Sequence, residues 1–252
     1  MRRLLIAGCG YVGLAAADLF HDDGWEVEGW THSEESAAQL AGKSFAVRAV
    51  DISDRAAVEL AAGEFEAVIH CASSGGAGLE SYRRVYLEGA RHLLAVLHPQ
   101  RFLYTSSTSV YAQTDGEWVD EESAAEPQHA TGRVLRETED LVRQNGGLVA
   151  RLSGIYGPGR SALLRRFLSG EARLEENGAR YLNQAHRDDI ASALLQLISA
   201  PNESQIVNVT DDEPRTQRAC YEWLAQELSR PLPPSVVREM ERKRGSSNKR
   251  VS

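Results

Sequence analysis

The stretch that decides the fold is Arg3–Gly13, which reads RLLIAGCGYVG. The apolar run Leu4–Ala7 is typical of a buried strand, and the pattern Gly-x-Gly-x-x-Gly follows it directly. In this pattern Gly8 makes a tight turn, Gly10 lets the backbone approach a pyrophosphate, and Gly13 lets helix and strand pack closely. The N–H groups of the helix that begins here would bind phosphate oxygens. The stretch therefore predicts a dinucleotide site that comprises Gly8, Gly10, Tyr11, Val12 and Gly13.

The rest of the first half alternates short apolar runs with segments of helical period, which indicates parallel βαβ units. The predicted strands are Arg3–Ala7, Glu26–Trp30, Phe45–Val50, Ala67–Cys71, Arg101–Ser106 and Gly147–Leu152. Two amphipathic helices are predicted over 82–97 and 131–144. Right-handed crossovers then give an α/β fold, a Rossmann-type doubly wound parallel sheet.

The periodic pattern weakens after residue 153, and this change suggests the domain boundaries. We predict a dinucleotide-binding domain over 1–153 and a small α/β cap over 154–237, interleaved with the core. The cap would contain helices near Ser161–Leu168, Asp188–Ser199 and Thr216–Leu228 and a strand at Ile206–Val209. Residues 238–252 are charged and have no apolar face, so a mobile tail is predicted there.

Composition narrows the classes of function. The 252 residues are 42% hydrophobic and 25% charged, as in a globular protein, and the net charge of -8 argues against a nucleic-acid partner. No apolar run approaches the roughly 18 residues that span a bilayer, so no membrane contact is expected. The scattered Cys9, Cys71 and Cys220 suggest reduced thiols in a cytoplasmic protein. The histidines do not pair at metal-ligand spacing, so no metal is predicted.

The end of the second strand bears on the choice between NAD and NADP. A carboxylate that binds the ribose hydroxyls is expected about 20 residues after the glycines, but the segment reads Thr31-His32-Ser33. Without a carboxylate a 2′-phosphate is not repelled, and these three side chains could donate hydrogen bonds to it. The alternative is that they are turn residues only. We therefore expect NADP or NAD as the cofactor, with a slight preference for NADP.

Several further segments resemble the extended and atypical short-chain dehydrogenase/reductases, also called the NAD-dependent epimerase/dehydratase family. Matching segments occur in order along nearly the whole chain: Asp51-Ile52, His70-Cys71-Ala72, Ser106–Tyr111, Arg151–Gly159, His186–Ile190 and Asn208–Pro214. The resemblance implies that Asp51 and Ile52 contact the adenine and that Cys71, Ala72 and Ser73 line the cofactor. It also implies a homodimer through the helices 82–97 and 131–144. Alternatively the apolar faces of these helices cover the sheet and the protein is a monomer.

The chain departs from this family where catalysis is expected. At the positions of the family's catalytic Tyr and Lys it has Thr131 and Leu135, and Tyr86 replaces the helix Asn. Only Ser107 keeps its residue type, so Ser107, Thr131 and Tyr111 are the catalytic candidates. Thr131 is too weak an acid to replace the phenol. Other possible acids are His129, Tyr156 and His186.

Two functions therefore compete. One is an NAD(P)-dependent oxidoreductase or epimerase/dehydratase-like enzyme with a non-standard active site. The other is a catalytically inactive protein that binds or senses the dinucleotide and acts through a partner. Covalent chemistry on a small metabolite is a third possibility, but no Ser–His or Cys–His arrangement supports it.

Overall fold

The computed structural model describes residues 2–76, 78–201, 205–236 and 249–252. Its main feature is a seven-stranded parallel sheet of order β12-β7-β5-β4-β1-β2-β3. The strands are β1 Arg3–Ala7, β2 Glu26–Thr31, β3 Ala46–Ala49, β4 Ala67–His70, β5 Arg101–Ser107, β6 Trp118–Val119, β7 Leu148–Leu152, β8 Gly154–Tyr156, β9 Leu174–Glu175, β10 Tyr181–Leu182, β11 Gln184–His186, β12 Ile206–Val209, β13 Arg215–Thr216, β14 Ser235–Val236 and β15 Arg250–Val251.

Helices cover both faces of this sheet. They are α1 Tyr11–Asp22, α2 Glu34–Ala38, α3 Arg55–Ala61, α4 Leu79–Tyr82, α5 Gly89–Leu97, α6 Ala130–Gln144, α7 Ala162–Leu168, α8 Arg187–Ser199 and α9 Gln217–Glu227. Because side chains alternate along a strand, Leu4 and Ile6 of β1 pack with α1 and α8, whereas Leu5 and Ala7 pack with α3, α5 and α6. The predicted Rossmann-type doubly wound sheet is confirmed.

The segment predicted as a cap is divided between the core and a smaller unit. β12 pairs with β7 at the edge of the main sheet, and α8 packs against α1, so the prediction that Ile206–Val209 and Asp188–Ser199 belong to the cap is wrong. The apolar residues of both elements, including Ile190, Leu194 and Val209, are buried in the cluster that contains Leu4 and Ile6 of β1. The remaining cap has its own core of Phe167, Ala172, Leu174, Tyr221 and Leu224.

The predicted mobile tail needs a correction at its end. Residues 237–248 lie outside the described residues, but Lys249 and Val251 near the end of the chain are buried. Arg250 and Val251 pair with Trp118 and Val119 of β6, and Val251 is 1% exposed. The Lys249 ammonium is also buried and donates a hydrogen bond to the Tyr111 carbonyl at 2.7 Å.

The helix predicted over 82–97 changes geometry inside its length. Arg83–Glu88 forms a π-helical segment between α4 and α5. Such wide turns are frequent at functional sites. Farther along, α5 ends at Leu97, where His98 is left-handed (φ 44°) and Pro99 cannot continue the helix.

The apolar faces of this helix and of α6 cover the sheet within the chain. Their buried residues are Leu87, Ala90, Leu93, Leu97, Val134, Leu135 and Val142. The outer faces carry charges, including the exposed ion pair of Arg83 and Glu137. Within the described part of the chain, no helix is long and apolar enough to cross a membrane.

Candidate functional site

Two adjoining cavities lie at the carboxyl edge of the main sheet, next to β1 and β4. From β1 the chain adds β2 and β3 on one side, and β4, β5 and β7 follow on the other side. The first cavity, about 460 Å³, extends from the glycine-rich loop to Ser107 and Leu135. The second, about 360 Å³, extends toward Asp51 and Arg84. They share Gly8, Thr31, His32, Ala72 and Ser73. This is the edge and the switch point at which open α/β sheets bind ligands.

The three glycines of the loop have different surroundings. Gly8 has φ +100°, and a Cβ there would lie 2.2 Å from the Ala72 nitrogen. A Cβ on Gly13 would lie 2.2 Å from the Gly8 carbonyl oxygen, so helix and strand meet without room for a side chain. At Gly10, by contrast, no atom lies within 4 Å of such a Cβ, which would project into open space. Gly10, Tyr11 and Val12 line the first cavity, and no side chain caps the N-terminus of α1.

The side chains after β2 have both local and cavity-facing roles. The Thr31 hydroxyl bonds to the Ser33 carbonyl at 3.2 Å, and the Ser33 hydroxyl caps α2 by accepting from the Ser36 N–H. Ser33 lines neither cavity, but Thr31, His32 and Ser36 line the first. Ser33 therefore acts as a turn and capping residue, as the alternative interpretation proposed. The His32 side chain is exposed and lines both cavities, so it is accessible to a ligand.

Asp51 lies at the far end of the second cavity, together with Ile52. Its carboxylate accepts hydrogen bonds from the backbone and hydroxyl of Ser53 and lies 3.7 Å from His32 Nδ1 and 3.8 Å from Arg84 Nη2. Partial burial raises the pKa of Asp51, but the hydrogen bonds from Ser53 and the neighbouring His32 and Arg84 outweigh it, so the net pKa is lowered. Asp51 is therefore an anionic acceptor at neutral pH.

Ser107 is the catalytic candidate that the structure brings to the first cavity. It ends β5, and its Oγ accepts a hydrogen bond from the Ser109 N–H at 3.1 Å. Because Oγ is an acceptor in this contact, its own proton stays available for a ligand. Cys71, Ala72 and Ser73 line the same cavity from the end of β4.

Two of the three catalytic candidates do not reach the cleft. Thr131 lies in the first turn of α6 and lines neither cavity, although Leu135 one turn later does. Tyr111 is 1% exposed, and its hydroxyl lies 2.7 Å from the Asp120 carbonyl and 2.9 Å from both Asn208 Oδ1 and Arg151 Nη1. We therefore correct the assignment of Tyr111, whose hydroxyl is fully used in a buried polar cluster.

The alternative acids also lie outside the lining. His129 is exposed before α6, and His186 caps α8 and packs edge-on against Tyr156. None of the three contributes to either cavity.

The structure adds lining residues that sequence reasoning missed. Tyr82 and Tyr86, one helical turn apart, both line the first cavity, with ring centroids 5.0 Å apart. Burial and the neighbouring Tyr82 raise the pKa of Tyr86, so its phenol is neutral at pH 7. Beneath them, burial lowers the pKa of His70 to about 4, and its Nε2 lies 3.3 Å from the Tyr86 carbonyl oxygen. The i,i+4 spacing of the two tyrosines was the available signal.

Other residues of the first cavity that were not predicted as site residues are Cys9, Ser36, Thr105, Ser106, Ser109, Leu152, Ser153, Ile155 and Arg160. Arg160 follows the turn at Gly157-Pro158-Gly159, and the sequence alone does not indicate that this turn reaches the glycine-rich loop. No group of three or more His, Cys, Asp or Glu side chains suited to a metal is found among the described residues.

Comparison with known proteins identifies the family. The NAD dependent epimerase/dehydratase family matches residues 4–210, so the chain belongs to that family. Its relatives include Protein YeeZ of Escherichia coli K12, which is 30% identical over 239 residues, or 90% of this chain and 84% of that protein.

Solved structures agree with this assignment. A putative NAD-dependent epimerase/dehydratase from Methylobacillus flagellatus is 28% identical, with a TM-score of 0.77 over 100% of this chain and 89% of its own. A UDP-glucose 4-epimerase from Thermotoga maritima has a TM-score of 0.82 over 98% of this chain and 88% of its own. At 16% identity that likeness shows the fold alone.

Proposed function

We propose that this protein binds NAD(P)(H) in the cleft and acts as an oxidoreductase or epimerase/dehydratase-like enzyme with a non-standard active site. The observation that carries the proposal is the continuity of the first cavity, which joins the glycine-rich loop to Ser107. The residues fit a dinucleotide, because Gly10 leaves open space where phosphates would approach and α1 begins without a capping side chain. When bound, such a cofactor supplies a hydride donor or acceptor.

The residues of the chain would hold and orient the substrate. Ser107 would donate its hydroxyl proton to a carbonyl or hydroxyl oxygen, since its Oγ already accepts from Ser109. Leu135 supplies no charge where the family resemblance implies a lysine. Among the tyrosines of the first cavity, Tyr11 donates its hydroxyl to the Pro158 carbonyl, so Tyr82 and Tyr86 are the phenols we propose as a second donor.

Binding is tested by calorimetry on Gly10→Val. A valine side chain would occupy the space of the phosphates, so the affinity for NAD(P)(H) should fall at least tenfold, which is about 1.4 kcal/mol. Gly42→Val is the matched control, because a Cβ on Gly42 also meets no atom within 4 Å but lies outside both cavities. Unchanged affinity in Gly10→Val would contradict the assignment of the site.

Turnover is tested by following nicotinamide absorbance with a panel of nucleotide sugars, alcohols and ketones. The loss of a positioned acid/base removes a factor of about 10²–10⁴ in rate, so turnover should be slow. What remains should depend on Ser107 and fall in Ser107→Ala. Fast turnover that survives this substitution would mean that the reacting atoms bind elsewhere.

A second candidate function is a dinucleotide sensor without turnover. It is favoured by Leu135, which places an apolar side chain in the cleft, and by the absence of Thr131 from the lining. Tight cofactor binding with no turnover across the whole panel would support the sensor over the enzyme.

We also propose a slight preference for NADP(H). Among the residues that the structure describes, no Asp or Glu lines the first cavity, and Glu34 and Glu35 of α2 line neither cavity. Glu28, the carboxylate nearest in sequence before the turn, accepts from Trp30 Nε1 at 2.8 Å and pairs with Arg48. A 2′-phosphate in the first cavity would therefore meet His32 and Ser36 as donors, since the Thr31 hydroxyl already donates to the Ser33 carbonyl. The carboxylate beside His32 is that of Asp51, which lines the second cavity and lies 3.7 Å from His32 Nδ1.

A further inference from the structure

We infer that Arg160, which lines the first cavity beside the glycine-rich loop, binds the pyrophosphate of the dinucleotide. The inference rests on the proposed function, because it assigns a residue to the same cleft. Arg160 lies far from the loop in sequence but lines the first cavity together with Gly10, Tyr11 and Val12.

The loop that carries Arg160 is held against the start of α1. Gly157 and Arg160 form a tight turn with two backbone hydrogen bonds of 2.9 Å. The Tyr11 hydroxyl donates to the Pro158 carbonyl at 3.0 Å, and the Arg160 guanidinium carbon lies 5.1 Å from the centroid of the Tyr11 ring. Stacking on an aromatic face restrains a guanidinium without using its N–H groups.

The charge of Arg160 is unmatched. Within the described part of the chain its guanidinium makes no ion pair or side-chain hydrogen bond, and it is the only Arg or Lys that lines the first cavity. The described residues that line the cavity include no Asp or Glu either, although the whole chain carries a net charge of -8. A described lining without carboxylates, with one unpaired guanidinium beside free helix N–H groups, favours an anion.

Arg187 provides a contrast on the same tyrosine. Its guanidinium carbon lies 5.2 Å from the Tyr11 ring centroid, but Nε donates to Asp188 at 2.8 Å and Arg187 lines neither cavity. Both arginines therefore lie over Tyr11, but Arg187 is paired with Asp188, whereas Arg160 has no ion pair among the described residues. Arg187→Gln is the matched control for Arg160→Gln.

The experiment measures calorimetric affinities of the full chain for NAD(H), NADP(H), ADP and adenosine. Arg160→Gln should bind both dinucleotides and ADP about tenfold more weakly and bind adenosine as the wild type does. The dependence of log Kd on log salt should also become shallower in Arg160→Gln. Arg187→Gln should change each affinity less than twofold, and thermal unfolding of both variants checks that they fold.

The outcomes separate this inference from the proposed function. If the wild type binds neither dinucleotide, both the proposed function and the assignment of Arg160 to the pyrophosphate are wrong. If the wild type binds and Arg160→Gln binds equally well, only the role of Arg160 is wrong. If only the affinity for NADP(H) falls, Arg160 contacts the 2′-phosphate and not the pyrophosphate. If the affinity for adenosine falls equally, the substitution acts indirectly through the fold. Either result overturns the assignment.

Discussion

The buried pair of Glu139 and Arg151 offers the sharpest test of how the site is supported. Glu139 accepts from Arg151 Nη2 at 2.7 Å and Nε at 3.1 Å, and from the Ser106 hydroxyl at 2.6 Å. The two charged side chains are 0% and 2% exposed. The pair connects α6 to β7 and, through Ser106, to the residue before Ser107 on β5. We therefore expect it to hold the strand end that presents the Ser107 hydroxyl to the cleft.

Replacing Glu139 by Gln keeps the volume and removes the negative charge. Arg151 is then left buried without its counter-ion, which typically costs about 3–5 kcal/mol of the free energy of unfolding. For a chain of this length that corresponds to a fall in Tm of about 6–20 °C. The assay is urea unfolding followed by circular dichroism, with the slope of the transition compared between variants.

Glu137→Gln is the matched control on the same helix. Glu137 pairs with Arg83 on the surface, where both side chains are about half exposed, and such pairs contribute about 0–1 kcal/mol. If Glu139→Gln destabilises the protein no more than Glu137→Gln does, the buried pair is not a stabilising support and the reasoning is refuted.

Three further predictions follow from the cleft, the helices and the tail. Calorimetry should give a lower Kd for NADP(H) than for NAD(H), and clearly tighter NAD(H) binding would show that Thr31 and His32 were misread. The family resemblance implies a dimer through helices 82–97 and 131–144, which would have to pair by their charged outer faces because their apolar faces cover the sheet. Light scattering at micromolar concentration tests this dimer, and a mass of 27.7 kDa would mean a monomer. Burial lowers the pKa of Lys249 from 10.5 to about 8 in the folded protein. Between these two values the unfolded chain binds more protons than the folded one, so the free energy of unfolding rises with pH. Urea unfolding at pH 7.5 and 9.5 should show this gain relative to Lys249→Met, and an equal pH response in both would contradict it.

Much of the core could be predicted because its signals are local. The run Leu4–Ala7 and the glycines that follow specify a buried strand, a turn and a helix within a few residues of chain. The predicted bounds of β1, 3–7, are those of the structure, and α5 ends at Leu97, two residues before Pro99. The family resemblance, which depends on motifs in order along the chain, was also correct.

The lining of the cleft could be predicted only in part. Residues at strand ends, such as Ser107 and Ala72, were identified because the carboxyl edge of a parallel sheet is known once the strands are known. Tyr111 was misassigned, because the short helical turn after β5 directs it to Arg151, and a motif does not report the direction of a side chain. Tyr86 was identified only as a replacement for the helix Asn, although its i,i+4 spacing from Tyr82 was available; the sequence did not predict the π-helical segment that carries it.

What the sequence alone determined is therefore the Rossmann-type core and the glycine-rich loop, where neighbouring residues in the chain are also neighbours in space. Only the tertiary structure decided that β12 completes the main sheet, that Lys249 is buried, and that Arg160 faces the loop. Each of these depends on contacts between distant segments; Tyr11 and Pro158 are 147 residues apart. Such contacts depend on which buried surfaces of distant segments fit together, and the local periodicity of the sequence does not specify this.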